Sequence, residues 1–145
     1  MESKVIAIDF DGTVVKHRYP EIGEDIGALP VLEALQNNKH KFILYTMRDA
    51  TGSRNLLKEA TEWFSKRNIN LIGVNTNPWQ STWTTSPKVN ANLYIDDHAL
   101  GIPLKRDSSS DRPYVDWTKC AALLYKRGLL TESQILLINN NSNLK

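Results

Sequence analysis

The sequence predicts an α/β domain with a mostly parallel central sheet. Its 145 residues suit one ordinary domain over 1–145. Short apolar runs alternate along the chain with segments in which apolar residues recur at helical spacing. The early runs are apolar at every position, a pattern typical of strands that are covered on both faces, as in a parallel sheet. Strands that alternate with helices in this way predict α/β architecture.

The predicted strands share an apolar run that stops at a polar or turn-forming residue. They lie at 4–9, 42–46, 70–74 and 93–95. Whether 102–104 adds a fifth strand is left open, because Pro103 restricts it to a sheet edge and the segment follows the fourth strand too closely for a parallel crossover.

The predicted helices are marked by apolar residues at helical spacing and by capping residues at their ends. They run from Pro30 to about 37, over 53–67 after a Thr51 or Ser53 N-cap, from an Asp116 cap to Gly128, and from a Thr131–Gln134 capping box to about 138. Residues 75–92 and 105–115 are expected to be polar loops, and 139–145 a frayed tail.

Composition and charge exclude several classes of function. A formal net charge of +2 does not indicate a nucleic-acid partner. The single cysteine, Cys120, excludes an internal disulfide and suits a reducing compartment. The apolar run 5–8 is too short for a signal peptide, and no apolar run approaches the roughly 20 residues that span a bilayer. We expect a soluble cytoplasmic protein without a membrane partner.

Polar side chains collect where the predicted strands end. The candidate residues are Asp9 and Asp11 after the first strand, Thr46, Met47 and Arg48 after the second, Lys88 in the loop before the fourth, and Asp96 and Asp97 after the fourth. In open parallel sheets, ligands bind beyond the carboxyl ends of the strands. We therefore expect these residues to meet at one site.

Their chemistry suits phosphoryl transfer. Carboxylates such as those of Asp9 and Asp96 are the ligands that Mg²⁺ prefers, with substrate phosphate as a further ligand. The Thr46 hydroxyl and the Lys88 ammonium are suited to phosphate oxygens, and a carboxylate beside a metal can act as the nucleophile. Each residue also has a plainer interpretation, since Asp11-Gly12 is a common turn and a loop lysine usually lies on the surface.

The strand ends resemble the motifs of the haloacid dehalogenase superfamily. The first motif is similar to Asp9-Phe10-Asp11-Gly12-Thr13, and the second to the apolar strand that ends in Thr46. Lys88 fits the third motif and Tyr94-Ile95-Asp96-Asp97 the fourth, in the family's order. The resemblance spans residues 5–97 and implies a Rossmann-like three-layer sandwich.

The resemblance also implies a role for each motif residue. Asp9 is expected to be the nucleophile of a phosphatase, and Asp11 its general acid and base. Thr46 and Lys88, with Met47 and Arg48, are expected to bind the phosphoryl group. Mg²⁺ is expected to be held by Asp9, the backbone carbonyl of Asp11 and Asp96, with Asp97 acting through water.

No segment of the sequence is long enough for the cap domain that family members usually carry. An open site is therefore expected, or one covered by a neighbouring subunit in a homo-oligomer. The substrate is expected to be a phosphorylated small molecule or the phosphorylated end of a larger one. Two alternatives remain: a phosphoryl-accepting receiver-like domain, and a catalytically idle binding module.

Several other residues near the predicted site have no assigned role. Trp79 and Trp83, in the loop before Lys88, either form an apolar wall for a sugar or base or anchor the loop on the body. Three charged residues lie on loops within reach of the mouth of the site, and a surface position is favoured for each of them: His17, Arg106 and Arg112.

Overall fold

The computed structural model describes residues 1–108 and 112–143 and confirms the predicted α/β class. Strands and helices alternate in the first part of the chain, and two helices close it. The elements are β1 (Val5–Ile8), α1 (Ala28–Asn37), β2 (Lys41–Leu44), α2 (Leu56–Ser65), β3 (Leu71–Val74), β4 (Leu93–Ile95), β5 (Leu104–Lys105), β6 (Tyr114–Val115), α3 (Trp117–Lys126) and α4 (Glu132–Asn143).

The central sheet is parallel, with strand order β3-β2-β1-β4. In the register of the sheet, Ile8 of β1 lies between Leu44 of β2 and Ile95 of β4. The chain therefore leaves these three strands at the same edge and in adjacent positions. This topology brings the residues that follow β1, β2 and β4 together.

The two faces of the sheet are covered differently. Alternate residues of β1 and β2, such as Ile6 and Phe42, belong to one large core that includes buried residues of all the helices described here. On the opposite face, Ala7 and Ile43 pack against Val89 of the 75–92 loop. The result is a Rossmann-like three-layer arrangement in which an ordered loop forms the layer opposite the helices.

The predicted caps of the last two helices are confirmed. Asp116 Oδ1 accepts a hydrogen bond from Lys119 N at 3.2 Å, and Gly128 follows α3 with φ of 78°. Thr131 and Gln134 form the reciprocal capping box, with Gln134 N donating to Thr131 Oγ1 at 3.2 Å and Thr131 N donating to Gln134 Oε1 at 2.9 Å.

Other predicted helix ends were wrong. The N-cap of α2 is Asn55 rather than Thr51 or Ser53, because the Asn55 side chain accepts the hydrogen bond from Lys58 N at 2.9 Å. Helix α1 begins at Ala28, two residues before Pro30. Helix α4 continues to Asn143 rather than fraying from 139. Within its last turn, Ser142 Oγ donates a hydrogen bond to Ile138 O at 3.0 Å. Residues 144–145 of the predicted tail lie outside the described residues.

The segment around 102–104 is not a fifth strand of the main sheet. Leu104 and Lys105 instead pair antiparallel with Val115 and Tyr114 in a separate two-stranded sheet. The predicted loop 105–115 therefore carries strand residues at both ends, while residues 109–111 lie outside the described residues. Proline at 103 suits this position at the start of an edge strand.

In the described ranges 1–108 and 112–143, the helices are too short and too polar to cross a membrane.

Candidate functional site

A cavity of about 650 Å³ opens beyond the carboxyl edge of the sheet. Six of the eight residues predicted for the site line it: Asp9, Asp11, Thr46, Met47, Arg48 and Asp96. A volume in this range is typical of small-molecule sites. The structure thus brings residues from the ends of three adjacent strands to one cavity.

Thr13 joins Asp9 to Asp97 behind this cavity. Its hydroxyl donates to Asp9 Oδ2 at 2.8 Å and accepts from Asp97 N at 3.0 Å, and its Oγ1 lies 3.3 Å from Asp97 Oδ1. Thr13 is fully buried, and its backbone carbonyl accepts a hydrogen bond at 2.7 Å from the indole of the core residue Trp117. The core of the protein therefore fixes the orientation of the Asp9 carboxylate.

The environment of Asp9 opposes its ionisation. Burial is the main cause, and the negative charge of Asp96 and the side chain of Asp97 act in the same direction, so that the pKa of Asp9 is raised to about 8. Hydrogen bonds from Thr13 and from the backbone at Phe10 act in the opposite direction and are outweighed. A cation at this site would relieve the repulsion among these carboxylates.

Asp11 has a different partner. Arg48 donates from Nε to Asp11 Oδ2 and from a terminal nitrogen to Asp11 Oδ1, both at 2.8 Å. The Arg48 side chain is only 1% exposed, and it also donates to the carbonyls of Pro20 at 3.2 Å and Glu21 at 2.9 Å. Arg48 was predicted to bind phosphate, but in this structure its donors hold Asp11 and the loop that follows β1.

His17 reaches the acidic cluster from the same loop. Its Nε2 lies 3.1 Å from Asp97 Oδ2, and its side chain is mostly buried. Gly12 makes this approach feasible, because its φ is +80° and a β-carbon at this position would collide with the His17 ring. Sequence reasoning favoured a surface position for His17 and therefore missed this contact.

The donor set at the acidic cluster fits a hard divalent cation. Asp96, Asp97 and His98 each place a potential ligand atom within 4.8 Å of one another, and Asp96 also acts electrostatically on Asp9. Carboxylate oxygens predominate, as Mg²⁺ requires. Asp96 Oδ1 meanwhile accepts a hydrogen bond from the backbone of His98 at 2.8 Å, which orients that carboxylate.

Thr46, Met47 and Lys88 differ in how the structure places them. Thr46 is positioned by two backbone hydrogen bonds, from its own N to Asn75 Oδ1 at 2.8 Å and from Arg48 N to its Oγ1 at 3.2 Å. Met47 lines the cavity and is 97% exposed. Lys88 is exposed and does not line the cavity. Lys88 is thus the one predicted phosphate-binding residue that is not among those lining the cavity.

The chain is similar to a solved structure of a conserved protein from Bacteroides thetaiotaomicron, with 35% sequence identity and a TM-score of 0.69. The match covers 92% of this chain and 98% of the other. The chain belongs to the same family as that conserved protein. No family model matches the chain, and no curated protein matches it. The relationship supports the fold described above, while the chemistry of the site has to be argued from its residues.

The loop at 75–92 is ordered by its own polar side chains. Gln80 is buried, donates to Lys88 O at 2.9 Å and accepts from Asn90 N at 2.7 Å. Asn77 donates to Asn90 O at 2.9 Å. Trp79 and Trp83 are both exposed on this loop and do not line the cavity, so neither forms a wall of it.

Proposed function

We propose that the protein is a Mg²⁺-dependent phosphomonoester hydrolase that forms a phosphoryl intermediate on Asp9. One observation carries the proposal: the ends of β1, β2 and β4 place Asp9, Asp11, Thr46 and Asp96 around one cavity. The motif resemblance to the haloacid dehalogenase superfamily supports the same chemistry. The substrate class is a phosphorylated small molecule or the phosphorylated end of a larger one.

Asp9 is assigned as the nucleophile. Thr13 holds its Oδ2 at 2.8 Å, so we assign Oδ1 to the attack on phosphorus. The bond from phosphorus to the substrate oxygen breaks as the bond to Asp9 forms. Water then attacks the phosphoryl group and releases inorganic phosphate and the Asp9 carboxylate.

Asp11 is assigned as the proton carrier for both half-reactions. It donates a proton to the departing alkoxide, then takes one from the attacking water. The bidentate pair with Arg48 engages both oxygens of the ionised Asp11, the form needed as a base. To carry a proton, Asp11 has to give up at least one of these hydrogen bonds. Release from Arg48 is therefore part of the proposed cycle.

Mg²⁺ would be held by Asp9, Asp96 and the backbone carbonyl of Asp11, with Asp97 in support. When bound, it would supply positive charge for the phosphate oxygens and offset the repulsion among the carboxylates. Thr46 lines the cavity, and we assign its hydroxyl to donate to a phosphate oxygen. The role expected for Lys88 remains a proposal based on the resemblance.

Hydrolysis of p-nitrophenyl phosphate tests the proposal. We expect turnover with Mg²⁺, loss of turnover with EDTA, and loss to background in Asp9→Asn. Asp25→Asn is the matched control, because Asp25 is exposed and does not line the cavity. Turnover that is independent of metal, or full activity in Asp9→Asn, would contradict the mechanism.

The same preparations separate the two alternatives. A stable acyl phosphate on Asp9, released by hydroxylamine and formed without appreciable turnover, would favour a receiver-like domain. No labelling and no turnover would favour a binding module. In the structure, β3 leads into Asn75, whose side chain accepts from Thr46 N, whereas a receiver would carry its acceptor acid after the third strand.

A further inference from the structure

The cavity also has an apolar wall. The wall consists of Tyr19, Tyr45 and Met47, which are 61%, 40% and 97% exposed. Single exposed apolar residues are common and need no explanation. Three of them on one cavity, beside a set of convergent polar groups, have the composition of a ligand site.

Two of these side chains are held in place by groups behind them. The Tyr19 ring lies over the Arg48 guanidinium, 5.3 Å from its centroid to the guanidinium carbon, and the Phe10 ring lies 5.2 Å from the same carbon. The Tyr45 ring packs against Tyr94, with centroids 6.5 Å apart. A ligand that contacts these two rings therefore has less ordering cost to overcome than one that contacts unsupported side chains.

Tyr94 is itself fixed, which extends the support of the wall into the sheet. Its hydroxyl donates to Val89 O at 2.5 Å, and its backbone belongs to β4. Tyr45 thus presents a flat ring whose position is set by β4 and by the ordered 75–92 loop. This arrangement differs from a surface tyrosine that samples several rotamers.

The wall lies within one small ligand's length of the proposed phosphoryl position. Tyr45 and Met47 flank Thr46 in the sequence, and consecutive Cα atoms are about 3.8 Å apart. Because the wall, Thr46 and Asp9 line the same cavity, a group attached to a phosphate at Thr46 and Asp9 has the wall within reach, either directly or across a pentose. The cavity, at about 650 Å³, is larger than a phosphate alone requires.

We infer that the wall receives a planar ring carried by the alcohol part of a small phosphomonoester. Tyrosine faces stack on flat rings, and a methionine thioether makes favourable contacts with them. This inference rests on the proposed phosphatase function and specifies its substrate class. The ring belongs either to an aryl group close to the phosphate or to the base of a nucleoside monophosphate.

Two pairs of substrates test the inference, and the two members of each pair have similar leaving groups. In the first pair, adenosine 5′-monophosphate is compared with ribose 5-phosphate, and in the second, benzyl phosphate with cyclohexylmethyl phosphate. We expect kcat/KM to favour the planar member of at least one pair by about tenfold or more, the range typical of ring stacking. The pair that shows the preference identifies how far the ring lies from the phosphate.

Variants of the wall provide the second part of the test. Tyr45→Leu and Met47→Gln are each expected to reduce the planar-to-nonplanar ratio of kcat/KM several-fold. Leu100→Gln is the matched control, because Leu100 is fully exposed and lies outside the cavity lining. Its ratio is expected to equal that of the wild type.

The outcomes separate this inference from the function on which it rests. Equal kcat/KM within both pairs, in an enzyme that hydrolyses p-nitrophenyl phosphate with Mg²⁺, overturns the ring site alone. A ratio that is unchanged in both wall variants also overturns it. If none of these esters is hydrolysed in a Mg²⁺-dependent reaction, both proposals are overturned.

Discussion

Asp9 and Asp11 are two residues apart in one motif, yet the protein treats their carboxylates in opposite ways. Asp9 is surrounded by acids and a buried hydroxyl, and its pKa is raised to about 8, mainly by burial. Asp11 is paired with a buried arginine through two hydrogen bonds of 2.8 Å. Among the residues that the structure describes, the carboxylate of Asp9 thus has no arginine partner, and a bound metal would supply the positive charge beside it. The carboxylate of Asp11 already has a positive partner in Arg48. The same local sequence can therefore provide two carboxylates with different chemistry.

The largest effect is expected on the Asp11 side. Arg48→Met leaves Asp11 without its partner and removes two further hydrogen bonds to loop carbonyls. We expect the free energy of unfolding to fall by about 3 kcal/mol, toward the lower end for a broken buried pair because Asp11 retains some contact with solvent. Guanidinium denaturation measures the change.

An exposed arginine provides the control for this prediction. Arg54 pairs with Glu21 and Glu59 at 2.6 Å, but these groups are much more exposed than Arg48. Arg54→Met is expected to cost far less, since exposed pairs are weakened by solvent and salt. The double variant Arg48→Met/Asp11→Asn should recover part of the loss, because it removes the unpaired charge. Equal losses in Arg48→Met and Arg54→Met would contradict the comparison.

The location of the site residues at the strand ends could be predicted from the sequence, but the ion pair between Arg48 and Asp11 could not. An apolar run that stops at an acid or hydroxyl marks a strand end, and parallel topology brings such ends to one edge. Asp9, Thr46 and Asp96 were placed on this reasoning. The pairing of Arg48 with Asp11 depends on where the loop 12–27 passes, and no local pattern determines that path.

Lys88 shows the same limit on another loop. Its position before β4 was predicted, but the direction of its side chain depends on how Gln80 and Asn77 fold the 75–92 loop onto the sheet. Amide side chains that hydrogen-bond to backbone groups eight or more residues away leave no periodic signal. The sequence predicted a loop at 75–92, and the structure confirms it, but the packing of this loop on one face of the sheet was not predicted, for the same reason.

A smaller effect is expected from the hydroxyl that joins Asp9 to Asp97. Thr13→Val keeps the shape of the side chain but removes the hydrogen bond to Asp9 and leaves the buried Asp97 N–H without its acceptor. We expect a loss of about 2 kcal/mol in the free energy of unfolding. Thermal or chemical denaturation in EDTA measures it.

Thr13→Ser separates the hydroxyl from the methyl group. Serine keeps the bridge to Asp9 and Asp97 and removes only a buried methyl group, so its loss should be the smaller of the two. In addition, Thr13→Val should raise the pKa of Asp9 further, because the Thr13 hydrogen bond lowers it. A serine variant as unstable as the valine variant would mean that packing, rather than the bridge, is what matters.

The last and most gradual effect is the pH dependence of the metal-free protein. The pKa of Asp9 is raised from 3.8 to about 8 in the folded state, so the folded state binds more protons than the unfolded state between these values. The Asp9 contribution to stability is therefore fully present below pH 4 and is lost as the pH rises through about 8. One proton per molecule limits the slope to about 1.4 kcal/mol per pH unit.

Other groups titrate in the same window, so the Asp9 contribution is read as a difference between variants. In EDTA, wild-type stability minus that of Asp9→Asn should fall between pH 5 and 8, while Asp25→Asn should follow the wild type. Saturating Mg²⁺ should flatten or reverse this fall, because a cation favours the ionised carboxylate. Parallel wild-type and Asp9→Asn profiles in EDTA would show that folding does not raise the pKa of Asp9, and the contrast between the two sides of the site would be lost.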